Sequence, residues 1–214
     1  GIEARVLAHL LAHWDGGDYA RLVCEGADLH EQNRVTTGVS TRAKAKRLLY
    51  ATIYGCGNKK AGTIVDDDEG DDLILRALGK MAKEALIGGI RGFAELFEWL
   101  NQQAIPLPGL DGRPLYPRKD YARLNTLIQA AGAIICKRWL LLIDAALQQR
   151  GFDRADYAVV AWVHDEIVIA CRPEIADTIA QVCVDAAIQS GKFYNLQCPT
   201  AAGAAIGASW AAIH

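Results

Sequence analysis

The sequence predicts an α/β (α+β) fold, mainly helical, with one antiparallel β-hairpin in its last third. Three observations carry that expectation. Apolar residues recur at helical spacing through Ile2 to Asp15 and again from about Tyr121 to Gln149. The segment YAVVAWVHDEIVIACRP, beginning at Tyr157, is rich in β-branched residues and is split by a tight polar turn. Between these blocks lies PLPGLDGRPLYPRKD, Pro106 to Asp120, whose four prolines, two glycines and Asp-Gly step predict a loop or short hairpin.

The elements follow in order. Ile2 to Asp15 places Val6, Leu7, Leu10 and Leu11 on one face, and Gly16 and Gly17 break the helix. A second short helix or turn ends at Gly26, and Asp28 is the expected N-cap of a third. Ser40 or Thr41 caps a fourth that runs to about Tyr54 and stops at Gly55 and Gly57. Asp72 to Leu100 reads as helix punctuated by Gly79, Gly88, Gly89 and Gly92. The long helix draws its core face from Leu124, Leu127, Ile128, Ile134, Ile135 and Leu141. After the hairpin, PEIADTIAQVCVDAAIQSG is one more helix, and a short strand or loop closes the chain through Trp210 to His214. Trp14, Trp99, Trp139 and Trp162 are expected in the core.

At 214 residues, 51% hydrophobic and 22% charged, the chain can bury a sizeable core. No uninterrupted apolar stretch approaches the roughly 20 residues of a membrane span, and no signal-peptide pattern opens the chain. Six scattered cysteines without a CxxC pair suit the reduced thiols of a cytosolic protein. The net charge of −2 argues against wholesale wrapping of nucleic acid, yet it hides an asymmetry. No acidic residue lies between Gln32 and Val65, where Arg34, Arg42, Lys44, Lys46, Arg47, Lys59 and Lys60 cluster. The acidic run Asp66 to Asp72 follows at once and reads as a solvated surface. Gly1 leads directly into an apolar pattern, so a longer parent chain is expected.

Two features carry chemistry. Arg42, Lys46, Tyr50 and Tyr54 recur every fourth residue, each about 40° round from the last on a stripe about 18 Å long. The cations sit near the helix N-terminus, where N–H groups and the macrodipole already favour anions. That arrangement suits a nucleoside triphosphate, with phosphates at the cations and base at the aromatics. A surface helix with two core tyrosines would give the same spacing. The second feature is His164-Asp165-Glu166, adjacent carboxylates at the apex of an apolar hairpin. A hard divalent cation with oxygen ligands would explain them, and so would a solvent-exposed turn. The His-Asp step also admits a metal-dependent phosphohydrolase, although those enzymes carry it on a helix. His9 and His13, four apart, form a further candidate metal pair but lack a third ligand.

In their order, R-x3-K-x3-Y-x3-YG and the later VHDE resemble two successive motifs of the family A, DNA polymerase I-like enzymes, nearest to the phage replicative branch. GIEARVLAH resembles the tail of that family's preceding motif, D-x-S-G-[IL]-E-x-R. ADLHEQN is similar to the G-D-[IL]-H stretch that opens the fingers, and LDGR with RLNTLIQAAGAIICKR to the hairpin and long palm helix. GASWAAIH is similar to the closing G-x-x-W-x-x-x-H, making His214 the expected natural C-terminus. The resemblance covers essentially the whole chain. It implies a helical fingers subdomain inserted in a partial palm with an antiparallel β-hairpin: palm segment 1–27, fingers 28–120, C-terminal palm 121–214.

The resemblance also implies roles. Arg42 and Lys46 would bind the incoming dNTP, Lys46 protonating the leaving pyrophosphate, and His30 would reach the β-phosphate. Tyr50 would pack on sugar and base; as Tyr rather than Phe, it implies tolerance of nucleotides lacking a 3′-hydroxyl. Tyr54, given room by Gly55, would stack at the templating position, and Glu3 would be the gate against ribose. Asn125 and Gln129 would touch the DNA primer–template, and His164 the primer end. Asp165, supported by Glu166, would hold catalytic Mg²⁺. The implied setting is the cytoplasm (host cytoplasm if viral), with no membrane partner.

Two departures stand out. Tyr121 occupies a position that is often basic in the family. The preceding motif's Asp would lie five residues before Glu3, outside this chain, whereas a two-metal site needs carboxylates from both motifs. The expected partner is therefore an N-terminal polymerase fragment or subunit. The alternative is a non-catalytic nucleotide- or nucleic-acid-binding module.

Overall fold

The computed structural model describes residues 1–67 and 70–213. Ten α-helices and two short antiparallel hairpins are seen among them. In chain order these are α1 (Ile2–Asp15), α2 (Asp18–Cys24), α3 (Leu29–Thr37), α4 (Arg42–Ile53), α5 (Asn58–Val65), α6 (Asp72–Gly89) and α7 (Phe93–Gln102). The first hairpin, β1 (Leu107–Pro108) with β2 (Pro114–Leu115), leads into α8 (Arg123–Gln149). The second, β3 (Tyr157–Val163) with β4 (Glu166–Cys171), leads into α9 (Ala176–Phe193), and α10 (Trp210–Ile213) follows a non-strand tail. His214 lies outside the described residues, as do Asp68 and Glu69 of the acidic run.

Local chemistry sets the helix boundaries. Asp28 accepts from the Glu31 N–H and Thr41 from the Lys44 N–H, so α3 and α4 begin at side-chain caps. At the α1–α2 corner, Gly16 and Gly17 take positive φ. Buried Asp15 spans the gap there, accepting from Gly17 N (2.7 Å) and Tyr19 N (2.8 Å). Two glycine-poor faces could not pack as α5 and α6 do. A Cβ on Gly62 would overlap the Leu75 carbonyl, and one on Gly79 would overlap the Asn58 carbonyl and the Gly62 amide. Helix α5 was not expected from the sequence, because Asn58–Val65 is basic and follows two glycines. The helix forms because α6 offers it a surface that only glycines allow.

Two cores result. The larger gathers α1, α4, α6, α7 and the first half of α8, with Leu7, Leu11, Leu48, Leu86, Phe93, Leu96 and Ile128 fully buried. The smaller joins Ile143 and Leu147 of α8 to Tyr157, Ile179 and Val182. By length and composition alone the stretch Asp120–Gln149 could cross a membrane, but α8 is the element shared by both cores. Its buried face shifts along its length, and Leu141, expected in the core, is 63% exposed on the flank that neither core covers.

The sheets are small. Register in the second hairpin runs from Tyr157↔Cys171 to Val163↔Glu166, with an irregularity between Val159 and Ala161. One face packs on α8 and α9 through Ile167 and Ile169; among the described residues no element covers the other. Val160 is 60% exposed; Trp162, expected in the core, pairs with Ile167 near the apex and is 39% exposed, its Nε1 donating to the His164 carbonyl. Trp99 is also at the surface, beside the half-buried Trp14 at 6.1 Å. Trp139 is half-buried against the smaller core. The described residues of the acidic run are exposed, with Asp67 paired to Lys44, and Asp72 to Lys59 and Arg76.

Gly79→Ala should cost about 3 kcal/mol in urea unfolding because backbone, rather than a movable side chain, meets the new methyl. Asp15→Ala should cost about 1–3 kcal/mol by orphaning two amides at the α1–α2 corner. Gly88→Ala, which meets open space, should leave stability unchanged or raised by about 1 kcal/mol and serves as the control.

Candidate functional site

Helix α4 buries Ala45, Leu48, Leu49, Thr52 and Ile53, which turns the opposite flank outward. Arg42 and Lys46 are exposed there, Tyr50 is half-buried, and Tyr54, the C-cap, is 44% exposed. The stripe exists as spaced. The Tyr50 and Tyr54 rings lie 6.4 Å apart, and the His30 ring of α3 lies 6.3 Å from Tyr50.

Arg42 is held by a residue read from sequence only as a helix cap. Its Nε donates to both Asp28 carboxylate oxygens, at 2.9 and 2.8 Å. That bond holds the Asp28 carboxyl below the usual carboxylate range, helped by the Glu31 amide, and raises Arg42 in turn. Among the described residues, no hydrogen bond engages the Arg42 Nη atoms, so its forked end remains available. Burial lowers the His30 pKa first, then the charges of Arg42 and Lys46 lower it further. Its Nδ1 is buried without a hydrogen-bond partner. Asp28, His30, Arg42 and Tyr50 line a cavity of about 230 Å³ whose floor includes Leu7, Tyr19 and Leu49.

A second convergence joins three elements. Glu3 of α1 accepts on Oε1 from the Tyr54 hydroxyl at 2.8 Å and from Gln129 Nε2 of α8. Burial, then the Glu3 carboxylate, pushes the Tyr54 phenol up to about 12. Tyr50 is raised by burial and by the negative charges of Glu3 and Asp165. Electrostatically, the hairpin apex and the α4 stripe are therefore one neighbourhood. Asn125, one turn before Gln129, is half-buried with its Oδ1 unpartnered. Gly55 takes φ 75°, and the space beside it is filled by Tyr121, whose carbonyl a Cβ would overlap.

At the hairpin apex, His164 takes φ 55°, a left-handed conformation that costs a non-glycine residue about 1 kcal/mol or more. Asp165 and Glu166 are exposed, and the Ile2 amide points at Asp165 Oδ2 from 3.5 Å, so the start of α1 borders the carboxylates. Two adjacent carboxylates suit Mg²⁺, which is usually held by one or two such groups with waters and phosphates completing its shell. Among the described residues no group of three or more metal-ligating side chains forms. His9 and His13 have other contacts: His9 Nδ1 accepts from the Gln197 amide, and His13 stacks edge-on with Trp14.

The sequence pattern that defines DNA polymerase family A matches residues 98–212. Two phage proteins named DNA-directed DNA polymerase align over all of this chain, at 34% identity for Enterobacteria phage T3 and 33% for Escherichia phage T7. The chain belongs to DNA polymerase family A. It spans 32% of the length of each phage polymerase. The polymerase domain of Pol1 from M. smegmatis, solved with DNA primer-template and dNTP, shares the fold of this family A chain. The TM-score is 0.76 at 20% identity over 99% of this chain and 39% of that one.

In this family A chain, sequence reading takes Asp28 only as a helix cap and Tyr121 only as a departure from a position often basic in the family. Asp28 had a visible signal: with Glu31 it is one of two carboxylates just before the acid-free basic block, two residues before His30. The contact of Tyr121 with Gly55 had no sequence signal, because it is made only in the fold.

Glu3→Gln should lower the Tyr54 phenol from about 12 toward 10, read by ultraviolet titration of tyrosine against Tyr54→Phe. The sign follows from a folded pKa above the unfolded one. The stabilisation is complete below pH 10 and is lost as pH rises toward about 12. Wild type should therefore lose more stability than Glu3→Gln across that window.

Proposed function

We propose that this chain is the C-terminal, catalytic portion of a template-directed DNA polymerase. It would comprise palm segment 1–27, fingers 28–120 and C-terminal palm 121–214, and would act in the cytoplasm of a host cell. The observation that carries the reading is the convergence of Glu3, Tyr54 and Gln129 on one carboxylate oxygen, beside Arg42, Lys46 and His30. Residues scattered over the sequence meet where a dNTP and a primer–template would have to meet.

Arg42, oriented by Asp28, presents its fork to a triphosphate, and Lys46 adds a mobile cation able to protonate departing pyrophosphate. His30 lines the same cavity and contacts the β-phosphate. Tyr50 packs on the sugar and base, and Tyr54 stacks at the templating position. Glu3, pinned by two donors, blocks a ribose 2′-hydroxyl. Asn125 and Gln129 face the duplex, and His164 the primer end. Asp165 and Glu166 hold Mg²⁺, which when bound supplies charge neutralisation for phosphoryl transfer.

The second part of the proposal is that activity needs an N-terminal polymerase portion. Support comes from the hairpin. Among the described residues its two strands pair only with each other, and β4 borders an apolar groove of about 1030 Å³ lined also by α9 and residues 200–208. A partner bringing further strands and carboxylates would cover this edge and complete the metal shell. The two-carboxylate apex also favours a second reading, a module that binds nucleotide without catalysis.

Arg42→Ala and Lys46→Ala should each weaken binding of dTTP·Mg²⁺ to this chain by about tenfold in calorimetry, a loss of about 1.4 kcal/mol. Primer extension should occur only when the upstream polymerase portion is added, and Asp165→Asn should abolish it. Extension by this chain alone would refute the need for a partner; nucleotide binding with no rescue would favour the non-catalytic module.

A further inference from the structure

Cys24 and Cys198 are 174 positions apart in the chain, yet their Sγ atoms lie 4.0 Å apart. Cys24 is the last residue of α2 and is exposed; Cys198 is fully buried. The segment bearing Cys198 is docked on α1 and α2 by three contacts: Gln197 N–H to His9 Nδ1, Arg5 Nη1 to the Pro199 carbonyl, and Cys198 Sγ to the Ala20 carbonyl. The buried thiol is thereby held under the exposed one, the arrangement in which a mixed disulfide on the outer sulfur is resolved by the inner. The Arg5 guanidinium lies 3.9 Å from Cys198 Sγ. Burial and the neighbouring Cys24 push the Cys198 thiol up to about 11, and Arg5 opposes that shift by favouring the thiolate.

We propose that Cys24 and Cys198 form a thiol–disulfide exchange site for a small disulfide such as oxidised glutathione, ending in a cross-link between α2 and the segment carrying Cys198. The Cys24 thiolate attacks one sulfur of oxidised glutathione, breaking its S–S bond and releasing one glutathione thiolate. The Cys198 thiolate then attacks Cys24 Sγ, forming the protein disulfide and releasing the second glutathione thiolate. Two protein thiols lose two electrons to the glutathione disulfide, and their two protons end on the two glutathione thiols. The sulfurs must close from 4.0 Å to bonding distance. That movement falls on the end of a seven-residue helix, α2, rather than on the larger core. The product would tether the α1–α2 unit, which carries Glu3, to the C-terminal segment. No step depends on nucleotide binding or polymerisation.

The test is oxidised glutathione added to the folded 214-residue chain, read by intact mass, peptide mapping and thermal melting. Wild type should lose two hydrogens and yield a Cys24–Cys198 linked peptide. Its Tm should rise by several degrees, since a long loop is closed in the unfolded chain, and fall back on reduction with dithiothreitol. Cys198→Ser should stop at a glutathione adduct on Cys24, and Cys24→Ser should remain unlinked; circular dichroism of both variants checks that they fold. A stable glutathione adduct on wild-type Cys24 would overturn the proposal. So would a first cross-link elsewhere, such as Cys171–Cys183 beside the apolar groove, or oxidation that leaves Cys24 and Cys198 untouched.

Discussion

The carboxylate of Glu3 is where helices α1, α4 and α8 are tied together at the site. One oxygen accepts from Tyr54 at the end of α4 and from Gln129 on α8. A carboxylate that accepts two side-chain donors fixes the direction of both, because each donor has few other places to satisfy its hydrogen. The end of α4 is thereby set relative to α8, and Arg42, Lys46 and Tyr50 inherit their positions from a rigid helix. Tyr121 fills the space beside Gly55 just after α4, so side-chain bonding and backbone approach both locate the same helix end.

The upper end of α4 is governed by a different balance. Asp28 caps α3 and also holds Arg42, so one carboxylate joins the start of one helix to the start of the next. This pair is exposed, and its contribution to stability is small. Its consequence is directional: it leaves the outer nitrogens of Arg42 facing a cavity that also contains His30. Burial and two neighbouring cations keep His30 toward its neutral form. In the proposed polymerase, an entering triphosphate would reverse that bias by bringing negative charge to the ring.

The two cores explain how the hairpin is anchored. α8 runs through both, so the hairpin is anchored on one face by Ile167 and Ile169. Along its strand edges no further strand among the described residues pairs with it, and Val160, Trp162 and the groove beside β4 are exposed. Exposed apolar edge strands are rarely left bare in finished folds.

Much of this was legible in the residues themselves. The caps at Asp28 and Thr41, the four-residue spacing on α4, the paired strands and the long helix all follow from local propensity and periodicity, which act over a turn or two. Where distant surfaces decide, the residues were silent or misleading. α5 exists because Gly62 and Gly79 let two backbones approach. Leu141, Trp99 and Trp162 are apolar yet exposed because burial depends on whether a neighbouring layer is present. The bonds from Tyr54 and Gln129 to Glu3, and from Arg42 to Asp28, are set by three-dimensional placement. Sequence alone determined which side chains could carry the chemistry and on which elements they sit. Only the tertiary structure decided which of them meet, because hydrogen bonds form over about 3 Å in space whatever the separation along the chain.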